Sequence, residues 1–406
     1  MDNSFYALSG QSFTAQEAQI AKLQQELSSG TRVATAAEDP AAYIGSLQDT
    51  ATIRQLDAMN ASQVNIQQTL GAATSAMGEV SSALDRIQSI ALQAINGTTS
   101  AGDYQALGQQ VGEGLQQIIS LSNTQSSNGN YVFAGTEKQT QPFVQDPSGS
   151  VGYFGNDGSA AVEIAPGVTV NGALSGSVFT NATTGNGYGS VSAASGNTGS
   201  ATVLATGVSD AAAARTFQSG NAPVTLSFAS SANGKITYTA TSGGSTIASG
   251  PVGPQNGAGT TITLKGVELT LEGNPASGDS FTVAPSRPQS VFDLVKQMQG
   301  ALTSTGTTPA TRAQMRQLIG NSLGTIVQYQ NRISGTSAKV GVILQATHSA
   351  ATSNQLSQTN AQENAGSLVS ADTPQVLTEL QNRTSALQAA MKAFSVASQL
   401  SLFKYL

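Results

Sequence analysis

A mainly α chain with a β insert is what this sequence predicts. The expected architecture is a long antiparallel, coiled-coil-like helical rod built from both chain ends, with an all-β domain inserted between them. Three observations carry the expectation. Leu56, Met59, Gln63, Ile66, Leu70, Ala73, Met77, Val80, Leu84, Ile87, Ala91 and Ala94 follow one another at spacings of three and four, a heptad stripe that another helix must cover. Across 144–285 the apolar residues alternate singly instead, the period of a strand. Helical spacing returns at Ser290 and holds toward the end of the chain.

Taken in order, Tyr6, Phe13, Ile20 and Leu27 lie seven apart with Leu23 between, and Gly30 stands where a helix C-cap is wanted. Asp39-Pro40 then opens a second helix, since Asp can accept from its first free N–H groups and Pro loses no bond at the first helical position. That helix runs into the 56–94 stripe, about 58 Å of rod at 1.5 Å per residue. Asn96-Gly97 breaks it. Ser100 and Asp103 form a capping box for a third helix striped by Tyr104, Leu107, Val111, Gly114, Ile118 and Leu121. The short loop makes these helices antiparallel neighbours.

At Asn128-Gly129, a strong hairpin signal, the period changes, and Tyr131-Val132-Phe133 reads as a strand. Alternation follows in Val224, Leu226, Phe228; Ile236, Tyr238; Ile262, Leu264; Val267, Leu269, Leu271; and Phe281, Val283. This predicts an antiparallel sandwich or barrel. The stretch 181–222 has so few large apolar residues that a long loop is expected there. Val291, Val295, Met298 and Leu302 mark the next helix. Thr308-Pro309 opens another, with Ile319, Leu323, Ile326, Ile333, Val340 and Leu344 on its seam. Asp372-Thr373-Pro374 starts the last, carrying Leu377, Leu380, Leu387, Met391 and Phe394.

The pattern is palindromic, which places both chain ends together and the β insert away from them. It divides the chain into a terminal coiled-coil region (1–40 and 368–406), a helical rod (41–143 and 286–367) and the β insert (144–285). The terminal stripes are sparse. At about 25 cal/mol per Å² of apolar area, pairing them alone scarcely exceeds the cost of ordering them. Phe13, Ile20, Leu23, Leu27, Leu377, Leu380, Leu387, Met391 and Phe394 are therefore the candidate subunit-assembly residues.

Composition points the same way. Charged residues make up 10% of the 406, against about 25% in soluble domains, and Ser, Thr, Asn, Gln, Gly and Ala take their place. Such surfaces repel little, which suits molecules packed side by side. A net charge of −6 argues against nucleic acid as a partner. No apolar window reaches the roughly 18 residues of a membrane span, so no membrane partner is expected. Cysteine is absent, which fits an oxidising exterior weakly. The first thirty residues lack the pattern of a cleavable signal, so export by a route that does not read one is expected.

At this point the residues carry a resemblance. The run Leu23-Gln-Gln-Glu-Leu27-Ser-Ser-Gly30-Thr-Arg32-Val33, then Glu38-Asp39-Pro40-Ala41-Ala42, resembles the N-terminal signature of bacterial flagellins and hook-associated proteins, as does Ala94-Ile-Asn96-Gly97-Thr98. Asn130-Tyr-Val-Phe133-Ala-Gly135-Thr136, Gln141-Pro-Phe143 and the tail Ser401-Leu-Phe403-Lys-Tyr-Leu406 are similar to the hook-associated protein 3 family rather than to flagellins. The resemblance covers 1–143 and 286–406. It implies a flagellin-like fold and a structural adaptor at the hook–filament junction. The implied partners are hook-associated protein 1, flagellin, further copies of the chain and a flagellar export chaperone, with unfolded export through the flagellar type III channel. A filament flagellin is the alternative within that class. An adhesin or carbohydrate-binding protein acting through the β insert is the alternative outside it.

Catalytic chemistry finds little material. His348 is the single histidine, so a nucleophile–base triad has one possible base. A zinc site without cysteine would need three carboxylates. Glu268 and Glu272 share a strand face about 13 Å apart, too far for a glycosidase pair acting across one bond. Asn156-Asp157-Gly158 lacks the alternating acidic ligands of a calcium loop and reads as a turn. No enzyme activity, cofactor or metal is expected.

Overall fold

The computed structural model of the chain describes residues 3–96, 100–253, 259–304, 306 and 308–402, and the side chains of all of these except 3–6, 101 and 397–402. The expected break at Gly97 and the tail motif's Phe403–Leu406 lie outside the described residues, as do the side chains of Tyr6, Ser401 and Leu402. The helices are α1 (Asn3–Ser29), α2 (Pro40–Ile95), α3 (Ala101–Ser122), α4 (Ala211–Ser219), α5 (Val291–Thr303), α6 (Pro309–Val369) and α7 (Thr373–Leu402). The strands are β1 (Phe143–Gln145), β2 (Val151–Tyr153), β3 (Ala161–Ala165), β4 (Val168–Asn171), β5 (Ala182–Thr183), β6 (Gly189–Ala193), β7 (Thr202–Val208), β8 (Val224–Ser230), β9 (Ile236–Ser242), β10 (Ser245–Pro251), β11 (Thr260–Leu264), β12 (Val267–Glu272), β13 (Ser280–Pro285) and β14 (Pro288–Gln289). Two compact units emerge: Met1–Ser62 with Ile164–Pro166 and Ser349–Leu406, and Gln63–Glu163 with Gly167–His348.

In the first unit α1 ends at Gly30, whose left-handed φ of +68° is the expected cap. Asp39 accepts from the Ala42 N–H at 3.1 Å and Pro40 opens α2, as expected. Leu56 and Met59 are buried. The rim between α2 and α6 is held by amides donating to carboxylates: Asn364 to Asp49 at 2.6 Å and Gln358 to Asp57 at 2.7 Å. An amide partner satisfies a carboxylate without a cation, which is how so charge-poor a chain manages its acids.

In the second unit the remaining members of the 56–94 stripe, Gln63 to Ala94, are all buried. The Ser100/Asp103 capping box forms, and Tyr104, Leu107, Val111 and Ile118 are buried on α3. The 128–136 segment departs from expectation. Gly129 makes the turn at φ +76°, but residues 131–134 form isolated bridges rather than a strand. Phe133 is instead drawn into an aromatic cluster, meeting Phe179 at 4.9 Å, while Phe143 meets Phe292 at 5.0 Å and Tyr153 at 5.1 Å. Gly135, at φ +67°, has the Asn156 carbonyl where a side chain would begin. The Asn156 side chain accepts from the Gly158 N–H at 3.0 Å, closing the expected turn.

Tyr329 of α6 is fully buried and its hydroxyl reaches the carbonyls of Phe179, at 3.1 Å, and Gln289. Burial pushes this hydroxyl well above the ordinary phenol range. Replacing Tyr329 by Phe leaves both carbonyls without their donor. The expected cost is about 1–3 kcal/mol, read as a lower urea midpoint at unchanged m-value.

The β insert is a two-sheet sandwich. One sheet has the order β10-β9-β8-β13-β6, the other β11-β12-β7, and the strand pairings within both are antiparallel. Val224, Leu226, Phe228, Phe281 and Val283 of the first sheet share one core with Ile262, Leu264, Val267, Leu269 and Leu271 of the second. The expected loop at 181–222 is a correction. It holds β5, β6, β7 and α4, the last capped by Asp210 and buried through Ala214 and Phe217. Val191, Val203, Ala214 and Phe217 of this stretch are members of the sandwich core.

Helix α6 closes one side of the sandwich. The Gln317 side chain donates to the carbonyls of Val191 at 3.0 Å and Val203 at 2.6 Å, and accepts from the Val203 N–H at 2.7 Å. It thereby satisfies edge groups of β6 and β7 at once. Asn321 also donates to Val191, and Thr325 accepts from the Gly185 N–H at 2.9 Å. Gly320 leaves room for Leu204.

Candidate assembly surface on the terminal helices

Within the first unit α1 and α7 run antiparallel. Phe13 meets Phe394 edge-to-face at 5.6 Å, while Gln19, further along α1, accepts from Arg383, earlier on α7, at 2.6 Å. Arg383 also pairs with Glu379. Phe13, Ile20, Leu23 and Leu27 are all half-buried. On α7 the two heptad rows differ. Leu380 and Phe394 are half-buried and Leu387 is buried, so one row is covered. Leu377 and Met391, two turns apart twice over in the other row, stay 44% and 45% exposed.

Two helices can hide only one seam each, and among the described residues Leu377 and Met391 of this second row stay open, with the half-buried Thr384 between them. Leu8 (70% exposed) and Val396 (56%) add to the open surface. Sequence reading missed both, since neither falls on a heptad row. Leu8, Ser12, Phe13, Ala390, Ala393 and Phe394 line an open groove of about 500 Å³. In the α1–α7 pair the Oε1 of Gln16 is buried without a donor. Groups of this kind are those a further helix satisfies.

Next to this pair the chain crosses itself twice in a short joint. The Arg32 N–H donates to the Val369 carbonyl at 2.7 Å and the Ala371 N–H to the Gly30 carbonyl at 2.9 Å, giving a bridge at Thr31 and Ser370. The Arg32 guanidinium donates to the Leu368 carbonyl at 3.0 Å and faces Asp39 at 3.4 Å. Glu38 accepts from the N–H of Ala34 at 2.7 Å and of Thr35 at 3.2 Å, and pairs with Lys22 at 3.5 Å.

The backbone N–H groups of Ala34 and Thr35 hold the Glu38 carboxyl below its usual range, with Lys22 helping. The Ala42 N–H does the same for Asp39, with Arg32. A carboxyl depressed in the folded state stabilises it above the ordinary range, and that stabilisation disappears as pH falls through the depressed value. The amide shifts of Ala34, Thr35 and Ala42 should therefore titrate below the ordinary carboxylate values, about 4.3 for Glu and about 3.9 for Asp. Titration of all three at or above ordinary carboxylate values would contradict this joint.

Comparison with known proteins adds to the geometry. Residues 3–138 match the family model for the bacterial flagellin N-terminal helical region. Flagellar hook-associated protein 3 of Escherichia coli K12 is 30% identical over 145 residues, 34% of this chain and 44% of that protein. The chain thus spans less than half the length of that relative. The crystal structure of FlgL from Xanthomonas campestris matches with TM-score 0.69 at 25% identity, over 79% of this chain and 99% of that one. The flagellar junction protein FlgL from Legionella pneumophila matches with TM-score 0.65 at 25% identity, over 74% and 98%. The chain is thus similar to the flagellin superfamily.

The superfamily signature now has physical content in this chain. Arg32, Glu38, Asp39 and Pro40 build the joint, and the 130–143 segment builds the aromatic cluster under α5.

Proposed function

We propose that this chain is a structural adaptor of the bacterial flagellum. It joins the hook, through hook-associated protein 1, to the flagellin filament, and it assembles through its terminal helices. The observation that carries this is the exposure of Leu377 and Met391 on a helix pair whose other rows are covered. Likeness to solved FlgL structures over 79% and 74% of the chain supports the junction over the bulk filament. What the geometry gathers at these helices is apolar and aromatic surface, which supports a structural role.

In this reading Phe13, Ile20, Leu23, Leu27, Leu377, Leu380, Leu387, Met391 and Phe394 are the assembly residues. Regions 1–40 and 368–406 form the assembling coiled coil, 41–143 and 286–367 the rod, and 144–285 the projecting domain. Neighbouring copies meet by contacts that do not close a ring, the kind that generates a helical tube. A flagellar export chaperone covers the terminal stripe before the chain leaves the cell, and the finished protein lies outside it. Copy number tests the reading. Gold-labelled antibody on isolated flagella should mark a narrow band between hook and filament, with the chain a trace component. Label along the whole filament would make it a flagellin instead.

A further inference from the structure

The five strands β6, β8, β9, β10 and β13 contain no Asp, Glu, Lys or Arg. Their inward residues form the sandwich core, and their outward residues are nearly all Ser and Thr. Register lines these up across the sheet. Ser192 pairs with Thr282, Thr282 with Thr225, Thr225 with Thr241 and Thr241 with Thr246. A second row runs Ser280, Ser227, Thr239, Ser249. All of these are exposed or half-buried. Ser227 and Thr241 spend their hydroxyl protons on carbonyls of the neighbouring strand. Thr225, Thr239 and Ser249 make no side-chain hydrogen bond among the described residues, so their protons remain available.

The opposite outer face of the sandwich is different. Val267, Leu269 and Leu271 of β12 point inward, leaving Glu268, Thr270 and Glu272 on the outside beside Thr261 and Thr263 of β11. One face thus offers hydroxyl donors without charge, and the other offers carboxylate acceptors.

We infer that the hydroxyl face of one sandwich packs on the Glu268–Thr270–Glu272 face of a second copy of this chain. The inference rests on the proposed function for what brings copies side by side. Charge selects the occupant. Copies at −6 repel one another, and this sheet is where a copy can approach without setting carboxylate against carboxylate, while hydroxyls satisfy the incoming acids by short, charge-assisted bonds. A basic partner would find no opposite charge here, whereas the Glu268–Thr270–Glu272 face of a copy brings acceptors that the hydroxyl donors match. Joining unlike faces makes the contact head-to-tail, which continues from copy to copy into a ring or a helix instead of closing on a dimer. Edge-to-edge pairing is blocked, because β10 is bulged between Thr246 and Ala248 and ends in Pro251.

Area sets when the contact forms. Four inter-strand gaps by about four residue steps give on the order of 300 Å² per copy, against about 800 Å² per partner in a stable complex. The contact is too small to join free monomers, and it adds to copies already held by their terminal helices.

The chain has no cysteine, so engineered pairs report cleanly. Full-length Thr239→Cys with Thr270→Cys, expressed in place of the wild type, should give disulfide-linked multimers in oxidised flagella and none in the soluble monomer. Each single variant should give none. Attached filaments with no linked product overturn the face-to-face contact and leave the junction role standing. Dimers from Thr239→Cys alone overturn it too, since like faces would then be meeting. Loss of the wild-type chain from the junction altogether is instead a failure of the proposed function. As an independent reading, Thr239→Glu should leave roughly tenfold fewer filaments attached after shearing, and adding Glu272→Lys should restore them. No loss with Thr239→Glu, or no rescue, overturns the pairing of these two faces.

Discussion

Replacing Leu387 and Phe394 together by aspartate is expected to abolish incorporation of the chain into flagella while leaving the β sandwich folded. Leu387 is 9% exposed and Phe394 packs edge-to-face on Phe13, so the double change removes the covered row of α7 and sets two carboxylates in an apolar seam. Each loses about 3–5 kcal/mol of packing, with the desolvation of an unpaired charge on top. Two helices holding so little area have no reserve against that. The β sandwich has its own core, so a protease-resistant fragment of about that size should survive digestion of the variant. Wild-type incorporation of the double variant would show that the terminal pair is not what assembles.

The second large effect is expected at Gln317→Ala. One side chain serves the Val191 carbonyl and both backbone groups of Val203; Val191 keeps Asn321 as a donor, so the loss orphans the two Val203 groups at about 1–3 kcal/mol each. A neighbouring cavity of about 600 Å³, lined by Gln314, Gln317 and Asn321 among others, admits water to some of them. The net cost is therefore about 2–4 kcal/mol rather than the full sum. Gln314→Ala is the control, since Gln314 gives a single bond to the Ser195 carbonyl. Urea unfolding followed by tyrosine fluorescence should show a large loss for the first variant and under about 1 kcal/mol for the second. Equal losses would mean that α6 does not latch the sandwich.

These two sites differ in how far the sequence reveals them. The 56–94 stripe was legible because every member, the polar Gln63 included, is buried at helical spacing, and large apolar side chains report periodicity directly. The strands from Val224 onward were legible for the same reason. At 181–222 Val191, Val203 and Ala214 are the members of the core. Alternation among small residues looks like a loop, although Asp210 before a run of alanines was a readable helix start. Tyr131-Val132-Phe133 has strand composition, but Phe133 finds aromatic partners and Gly135 turns the chain away.

The Gln317 latch carries no sequence signal at all. A glutamine in a helical stripe reads as solvated unless one knows that strand backbones lie against it. The terminal rows were legible as heptads; Phe394 meets Phe13 of α1, while Leu387 is buried and Leu380 half-buried. That Leu377 and Met391 remain open could be seen only once the helices were counted in space.

The most direct measurement is deletion of the gene followed by electron microscopy of the cells and assay of the medium. The junction reading predicts complete hooks without filaments, and unassembled flagellin accumulating outside the cell, both reversed by the wild-type chain but not by the Leu387→Asp, Phe394→Asp variant. Filaments of normal length on the deletion strain would contradict it.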